Sequence, residues 1–376
     1  MQSAQTQTKT GRKRGRRTAL TALATVGCIG AAATTAFAGG ATPAQNLAQF
    51  TAKPTSIGSF TPLKTKPPKG KVVVYLGNPE VSNVQVAAGV QQAAAAAGWK
   101  YEEVSYNPAD PSTFIAAFNT AISKHANYVM EAGTVLPPQV ISAATAHHIK
   151  IAVDAVDPVA VTGPVIASTG GAAVDYRMGV LTADEFIVAS KGSGEAVEEA
   201  IPQYPILTTF LHGFQNTLKA DCPNCKIDEA DVSLTDFAAG NLPKIVVAAV
   251  QAHPSAKYIV FDDGPFADSM PSALSAAGIS GKVLMGEAGD ATDIAGIKTG
   301  QDLSWTGYSV PFDSWEMMDA AFRDAEGMTI PKSESIQPTQ IITSANAGSI
   351  QLFPKIGGWN YPTSGFQQFL KVWGLK

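Results

Sequence analysis

The chain has 376 residues, 45% of them hydrophobic and 15% charged, with a formal charge of −4. Lys9, Arg12, Lys13, Arg14, Arg16 and Arg17 fall in the first 38 positions with no acid among them, so a protein cut after Ala38 carries −10. That field repels nucleic acid and bare anionic lipid surfaces, and no basic run remains to offset it.

Gly11 to Arg17 is a basic run, followed by an uncharged stretch from Thr18 to Ala38 that ends in Ala36-Phe37-Ala38. This is the pattern of an export signal with small residues at the positions a signal peptidase reads, so residues 1–38 are expected to be removed. The stretch is too broken by Gly and Thr for a membrane anchor and lacks a stop-transfer flank. Arg16-Arg17 leaves twin-arginine and general export both open. Thr25-Val26-Gly27-Cys28 resembles a lipoprotein box with Thr25 in place of the usual Leu, so cleavage after Ala38 and lipid attachment through Cys28 remain alternatives. Beyond Cys28 the only cysteines are Cys222 and Cys225, expected to form a disulfide that pins a local turn in an oxidising compartment. No nearby Cys or His completes a zinc site.

Residues 39–70 carry five prolines among Thr, Ser, Lys and Gly, and read as a disordered linker. At Lys71 the character changes. Val72-Val73-Val74-Tyr75-Leu76 is an unbroken apolar run, as in a strand buried on both faces of a parallel sheet. Strands at 100–106, 128–132 and 150–154 then alternate with helices at 82–97, 110–125 and 137–147. A second series follows Val165 to Ser168. It has helices at 174–189, 205–219, 242–252 and 268–277, and strands at 195–201, 226–232, 257–262, 282–287 and 303–308. A helix at 311–326 and a strand at 339–343 close the pattern. About 300 residues are too many for one core. The expected fold is α/β, with two doubly wound parallel-sheet lobes: 71–168 plus 310–338, and 169–309 plus 339–376. The aromatic tail, Phe353 to Trp373, is expected to pack on the second lobe.

Gly77-Asn78-Pro79-Glu80-Val81-Ser82, followed by Gly89-Val90, resembles the opening of the type I periplasmic binding proteins of the ribose-binding kind. Further likenesses are Ile151-Ala152-Val153-Asp154, Asp175-Tyr176-Arg177-Met178-Gly179, His212-Gly213-Phe214, Phe261-Asp262-Asp263, Gly286-Glu287-Ala288-Gly289-Asp290 and Tyr308. The resemblance runs from Lys71 to about Ile342. It implies two lobes hinged by three crossovers near Ser168, Ser309 and Thr339, and ligands taken between them. Two departures stand out. The family's stacking aromatics in the first loop are Glu80 and Val81 here, and the Arg after the strand-end Asp is Ala155.

Ligands in such folds meet the carboxyl ends of strands, where Asp154, Asp262, Asp263 and Asp290 are expected. Carboxylates accept several hydrogen bonds from a polar solute, although the same residues also serve as helix caps. Asn78, Glu80, Val81, Ser168, Tyr176 and Tyr308 complete the expected ligand set. So many acids favour a neutral polyol or an amine over an anion. The expected function is that of an exported, monomeric binding protein without cofactor or metal, which closes on a small polar solute and hands it to a membrane permease or a sensor. A hydrolase lacks support because no Gly-x-Ser-x-Gly turn occurs, and the five histidines have no metal-ligand spacing. A repressor would need a DNA-binding helix pair where the signal and linker stand.

Overall fold

The computed structural model describes residues 41–330, 337–353, 358–360 and 362–376; the expected export signal and Cys28 lie outside the described residues. From residue 41 the segment expected to be a linker is instead held in place by both lobes. Thr42 and Gln45 cap the N-terminus of α1 (Pro43–Ala48) reciprocally, each side chain accepting from the other's backbone N–H. Leu47 is buried beside Leu181 and Ile341, and Asn46 donates to Asp184. The chain then crosses to the other lobe, where Ile57 enters the core and the carbonyls of Thr61 and Pro68 accept from Arg323 (2.7 Å) and the Trp99 indole (2.9 Å). A proline-rich stretch has few N–H groups of its own to satisfy, so it can lie extended on a surface that supplies partners for its carbonyls. Ile57→Ala is expected to cost about 2–4 kcal/mol in denaturant unfolding; a loss below about 0.5 kcal/mol would return the segment to the linker class.

The apolar run read from the sequence becomes β1 (Val72–Gly77), with Val73 to Leu76 shielded on both faces. Helix α2 (Val81–Ala97) follows, closed by Gly98 at φ 69°, and leads into β2 (Lys100–Ser105). Asp110 caps α3 (Pro111–Ser123), which has Pro111 in its first turn. Next come β3 (Tyr128–Ala132), α4 (Pro138–Ala146), β4 (Lys150–Asp154) and β5 (Val165–Thr169). The first sheet is parallel throughout, in the order β2-β1-β3-β4-β5. Val86 and Val90 of α2 cover one face; Phe114, Phe118 and Val140 of α3 and α4 cover the other.

The second lobe runs α5 (Ala172–Ser190), β6 (Glu195–Ala200), α6 (Pro205–Asp221), β7 (Lys226–Asp231), α7 (Leu234–Ala238), α8 (Leu242–Ala252), β8 (Tyr258–Phe261), α9 (Gly264–Ala267), α10 (Met270–Ala276), β9 (Val283–Glu287), α11 (Ala291–Thr299) and β10 (Asp302–Gly307). After α12 (Val310–Ala325), β11 (Gln340–Thr343) joins this sheet, in the order β11-β10-β9-β8-β6-β7. Every pairing is parallel except that of β11 with β10, an antiparallel edge. Helices α5 and α6 meet backbone to backbone on one face, because Gly179 and Gly213 leave no Cβ between them. Cys222 and Cys225 form a disulfide, Cα to Cα 5.4 Å, in the turn from α6 to β7. The helix expected at 268–277 starts earlier and is split into α9 and α10, since Pro271 has no N–H to carry on the first helix's ladder.

The tail departs from expectation. Trp359 does lie in the second-lobe core, but α13 (Gly365–Val372) returns to the first lobe. There Phe369 and Trp373 meet Phe312, Trp315 and Phe322, a row of rings on α12 that the helix covers. The Trp373 indole donates to Asp319 (2.8 Å), which also accepts from buried Arg323 (2.5 Å). The chain thus passes between lobes after β5, before α12 and before β11, as the three-crossover reading requires, and again elsewhere among the described residues, for example between α1 and Ile57 and between Trp359 and α13.

Candidate ligand site between the lobes

The parallel strands of both sheets end at one cleft, and their last residues line a cavity of ≈ 80 Å³. At about 10–15 Å³ per water on this measure, it holds several waters' worth of solute. The first lobe supplies Glu80 and Ser82 at the start of α2, Gly133 after β3, and Asp154 at the end of β4. The second supplies Asp175 in the first turn of α5, Tyr204 before α6, Asp262 and Asp263 after β8, and Glu287 at the end of β9; Tyr308, at the crossover, closes the base. Three side-chain hydrogen bonds span the cleft. Tyr204 donates to Glu80 (2.9 Å), Ser82 donates to Asp263 (2.9 Å) and Thr209 donates to Asp157 (3.4 Å). The lobes are therefore closed on each other. Beyond the Glu80–Tyr204 bond lies a larger groove of ≈ 590 Å³, lined by Val81, Tyr106, Phe237 and Phe266.

Residues 72–327 match the family model described as periplasmic binding protein domain. The chain belongs to the periplasmic binding protein family. By sequence, no curated protein matches it. Among solved structures, an ABC transporter periplasmic solute binding protein from Actinobacillus succinogenes 130z with bound D-allose is 14% identical, over 74% of this chain and all of that one, at a TM-score of 0.64. An ABC transporter solute binding protein from Burkholderia graminis C4D1M in complex with D-arabinose is 19% identical, over 76% and 99%, at 0.63. A putative LacI transcriptional regulator from Bacteroides fragilis is 15% identical, over 76% and 100%, at 0.64. At these identities the likeness is one of fold: type I, ribose-binding-like.

The cleft is acidic. Among the described residues six carboxyls line the cavity, Glu80, Asp154, Asp175, Asp262, Asp263 and Glu287, and no Lys, Arg or His does. Burial raises all six pKa values. Asp154 reaches about 6, with the hydroxyl of Thr169 (2.9 Å) pulling it back. Asp263 and Glu287 are pushed well above the carboxylate range, first by burial and then by neighbouring acids. Arg177 stands near, its head donating to Thr339 (2.9 Å) at the third crossover.

Of the residues expected to bind, Glu80, Asp154, Asp262, Asp263 and Tyr308 are brought around the cavity, and Val81 lies at the outer groove. Four are placed elsewhere. Asn78 shapes its own loop, accepting from the Glu80 N–H (2.9 Å) and donating to Tyr106 (3.3 Å). Ser168 lies in β5 short of the cleft, and Tyr176 is exposed, one helix position round from Asp175. Asp290 accepts from the N–H groups of Thr292 and Asp293 and caps α11, the alternative role such an acid has. Sequence reasoning missed Ser82, Asp175, Tyr204 and Glu287 as lining residues. Both Asp175 and Glu287 stood inside quoted motifs, one and three positions from the residues chosen. Two acidic groups could approach a metal, Asp268 with Asp290 and Asp293, and Glu195 with Asp228 and His253; neither contains a cavity-lining residue.

Proposed function

We propose that the chain is an extracytoplasmic solute-binding protein that closes around a small polar solute, of the sugar or polyol kind, and delivers it to an ABC-type permease. The observation that carries this is the cavity itself. It is built from strand ends of both lobes and held shut by Tyr204 on Glu80 and Ser82 on Asp263. A solute touching both walls favours the closed state by its extra affinity for it, and that state is what a partner recognises. Family membership supports the reading, as do structural neighbours crystallised with D-allose and D-arabinose. The basic, then apolar, N-terminal sequence supports export, and among the described residues no helix is long and apolar enough to cross a membrane.

A thermal-shift screen of sugars, polyols and amines tests it. A solute at a hundred times its Kd adds about 2.7 kcal/mol of stability, and X-ray scattering should show the protein becoming more compact with the same solute. Tyr204→Phe keeps the ring and removes the bond across the cleft, so it is expected to weaken binding roughly 3- to 10-fold, mostly through faster release. A silent screen with folded protein, or a hit that Tyr204→Phe leaves untouched, counts against closure around a solute.

A further inference from the structure

We infer that the solute is a cation, an organic ammonium such as an amino-polyol or amino sugar, whose nitrogen is received between Asp175 and Glu287. This rests on the solute-binding reading above and narrows it. Of the six cavity carboxyls, three accept from a hydroxyl: Glu80 from Tyr204, Asp263 from Ser82 and Asp154 from Thr169. Asp262 also has no donor, but its neighbour is Glu199, which does not line the cavity. The other two face each other. Oδ2 of Asp175 and Oε2 of Glu287 have no donor directed at them, although the residues are only 3% and 2% exposed and both face the cavity. They arrive from opposite directions, one from the first turn of α5 and one from the end of β9, and Asp175 is the strongest electrostatic influence on Glu287.

Two facing carboxyls buried this deeply either share a proton or hold a cation, because a lone buried carboxylate is costly. A neutral polyol offers hydroxyl donors but no charge, and leaves that cost in place. An ammonium supplies three N–H donors and the balancing charge from one atom. An anion is excluded by all six neighbours. Glu80, at the start of α2, adds one more acid to the cavity wall, in the direction the inference requires.

The test is isothermal titration of the full chain at pH 7.5 with three pairs matched in shape and differing in charge: 2-amino-1,3-propanediol against glycerol, glucosamine against glucose, and 1,4-diaminobutane against 1,4-butanediol. The expected result is that the amine binds at least about tenfold tighter than its neutral twin in one pair or more. In Glu287→Gln, shown by its melting curve to be folded, that ratio should fall toward one. Neutral members binding as tightly as the amines overturns the inference and leaves the solute-binding function standing. No binding by any of the six overturns the inference, and silence in the wider sugar and polyol screen then overturns the function as well. A preference for the amine that survives Glu287→Gln also overturns it, by moving the charge recognition elsewhere.

Discussion

Gly179→Ala is expected to destabilise the protein by more than about 4 kcal/mol, among the largest losses a single methyl can cause. A Cβ at this position would stand 2.0 Å from the Phe210 carbonyl oxygen and 2.8 Å from the Phe214 nitrogen. The relation is mutual, since a Cβ at Gly213 would stand 2.2 Å from the Tyr176 carbonyl oxygen. Both obstacles are backbone, so no rotamer change relieves them, and α5 must separate from α6. Around the contact lie Met178, Phe186, Phe210 and Phe214, which would lose their packing together. The damage should reach the ligand site too, because Asp175 is in the first turn of α5 and Tyr204 immediately precedes α6. Chemical denaturation measures it, and a loss below about 1 kcal/mol would show that the helices do not pack this closely.

The ligand-free protein is expected to lose stability as pH rises from 5 to 8, by something of order 4 kcal/mol. The groups responsible are buried acids whose pKa is raised in the fold, chiefly by burial: Asp302 to about 7, Glu198 to about 8 and Asp293 to about 9. A raised carboxyl pKa means that the folded state holds a proton the unfolded chain has already released. Its contribution is complete below pH 4, where both states are protonated, and fades as pH climbs through the folded value. The opposite case is Glu102, held down at about 2 by Lys100 and Lys124; its contribution is present above pH 4.5 and is lost only in stronger acid. On these groups the maximum should therefore lie near pH 4, and melting temperatures across a pH series check it. A flat or rising profile between pH 5 and 8 would mean that these acids are ionised in the fold. A bound ammonium pairs with the ionised carboxyls, so its stabilising effect should grow over the same interval.

The strands were legible because their chemistry is local. A two-face-buried strand shows as an unbroken apolar run, and the acid at its end shows as the point where the run stops; Asp154 and Asp262 were found that way. Facing is harder to read. Tyr176 and Asp175 differ by one position, but on a helix that is a rotation of about 100°, enough to exchange cavity for solvent. Similarly, the acid that ends β9 is Glu287, and Asp290 belongs to the helix that follows. The signal for that helix was present: Asp290, Asp293 three residues later, and Gly300 beyond its end. Gly179 and Gly213 were noticed as parts of motifs, yet only the fold explains them, as the place where two helices touch. The tail was placed rightly only at Trp359, because aromatic content says that a segment must be covered, but not by which core.

The passages between lobes beyond the three crossovers alter the mechanics of the molecule. Leu47 and Ile57 are held in different lobes ten residues apart, and Trp359 and Phe369 repeat the arrangement near the other end of the chain. Links in parallel add their stiffness, so the added passages resist a given torque more than three crossovers alone, and the angular swing available to the empty protein narrows. A molecule that spends more of its time near the shut arrangement forfeits less affinity to the fraction of idle, gaping copies. It also has less contrast between its empty and loaded shapes.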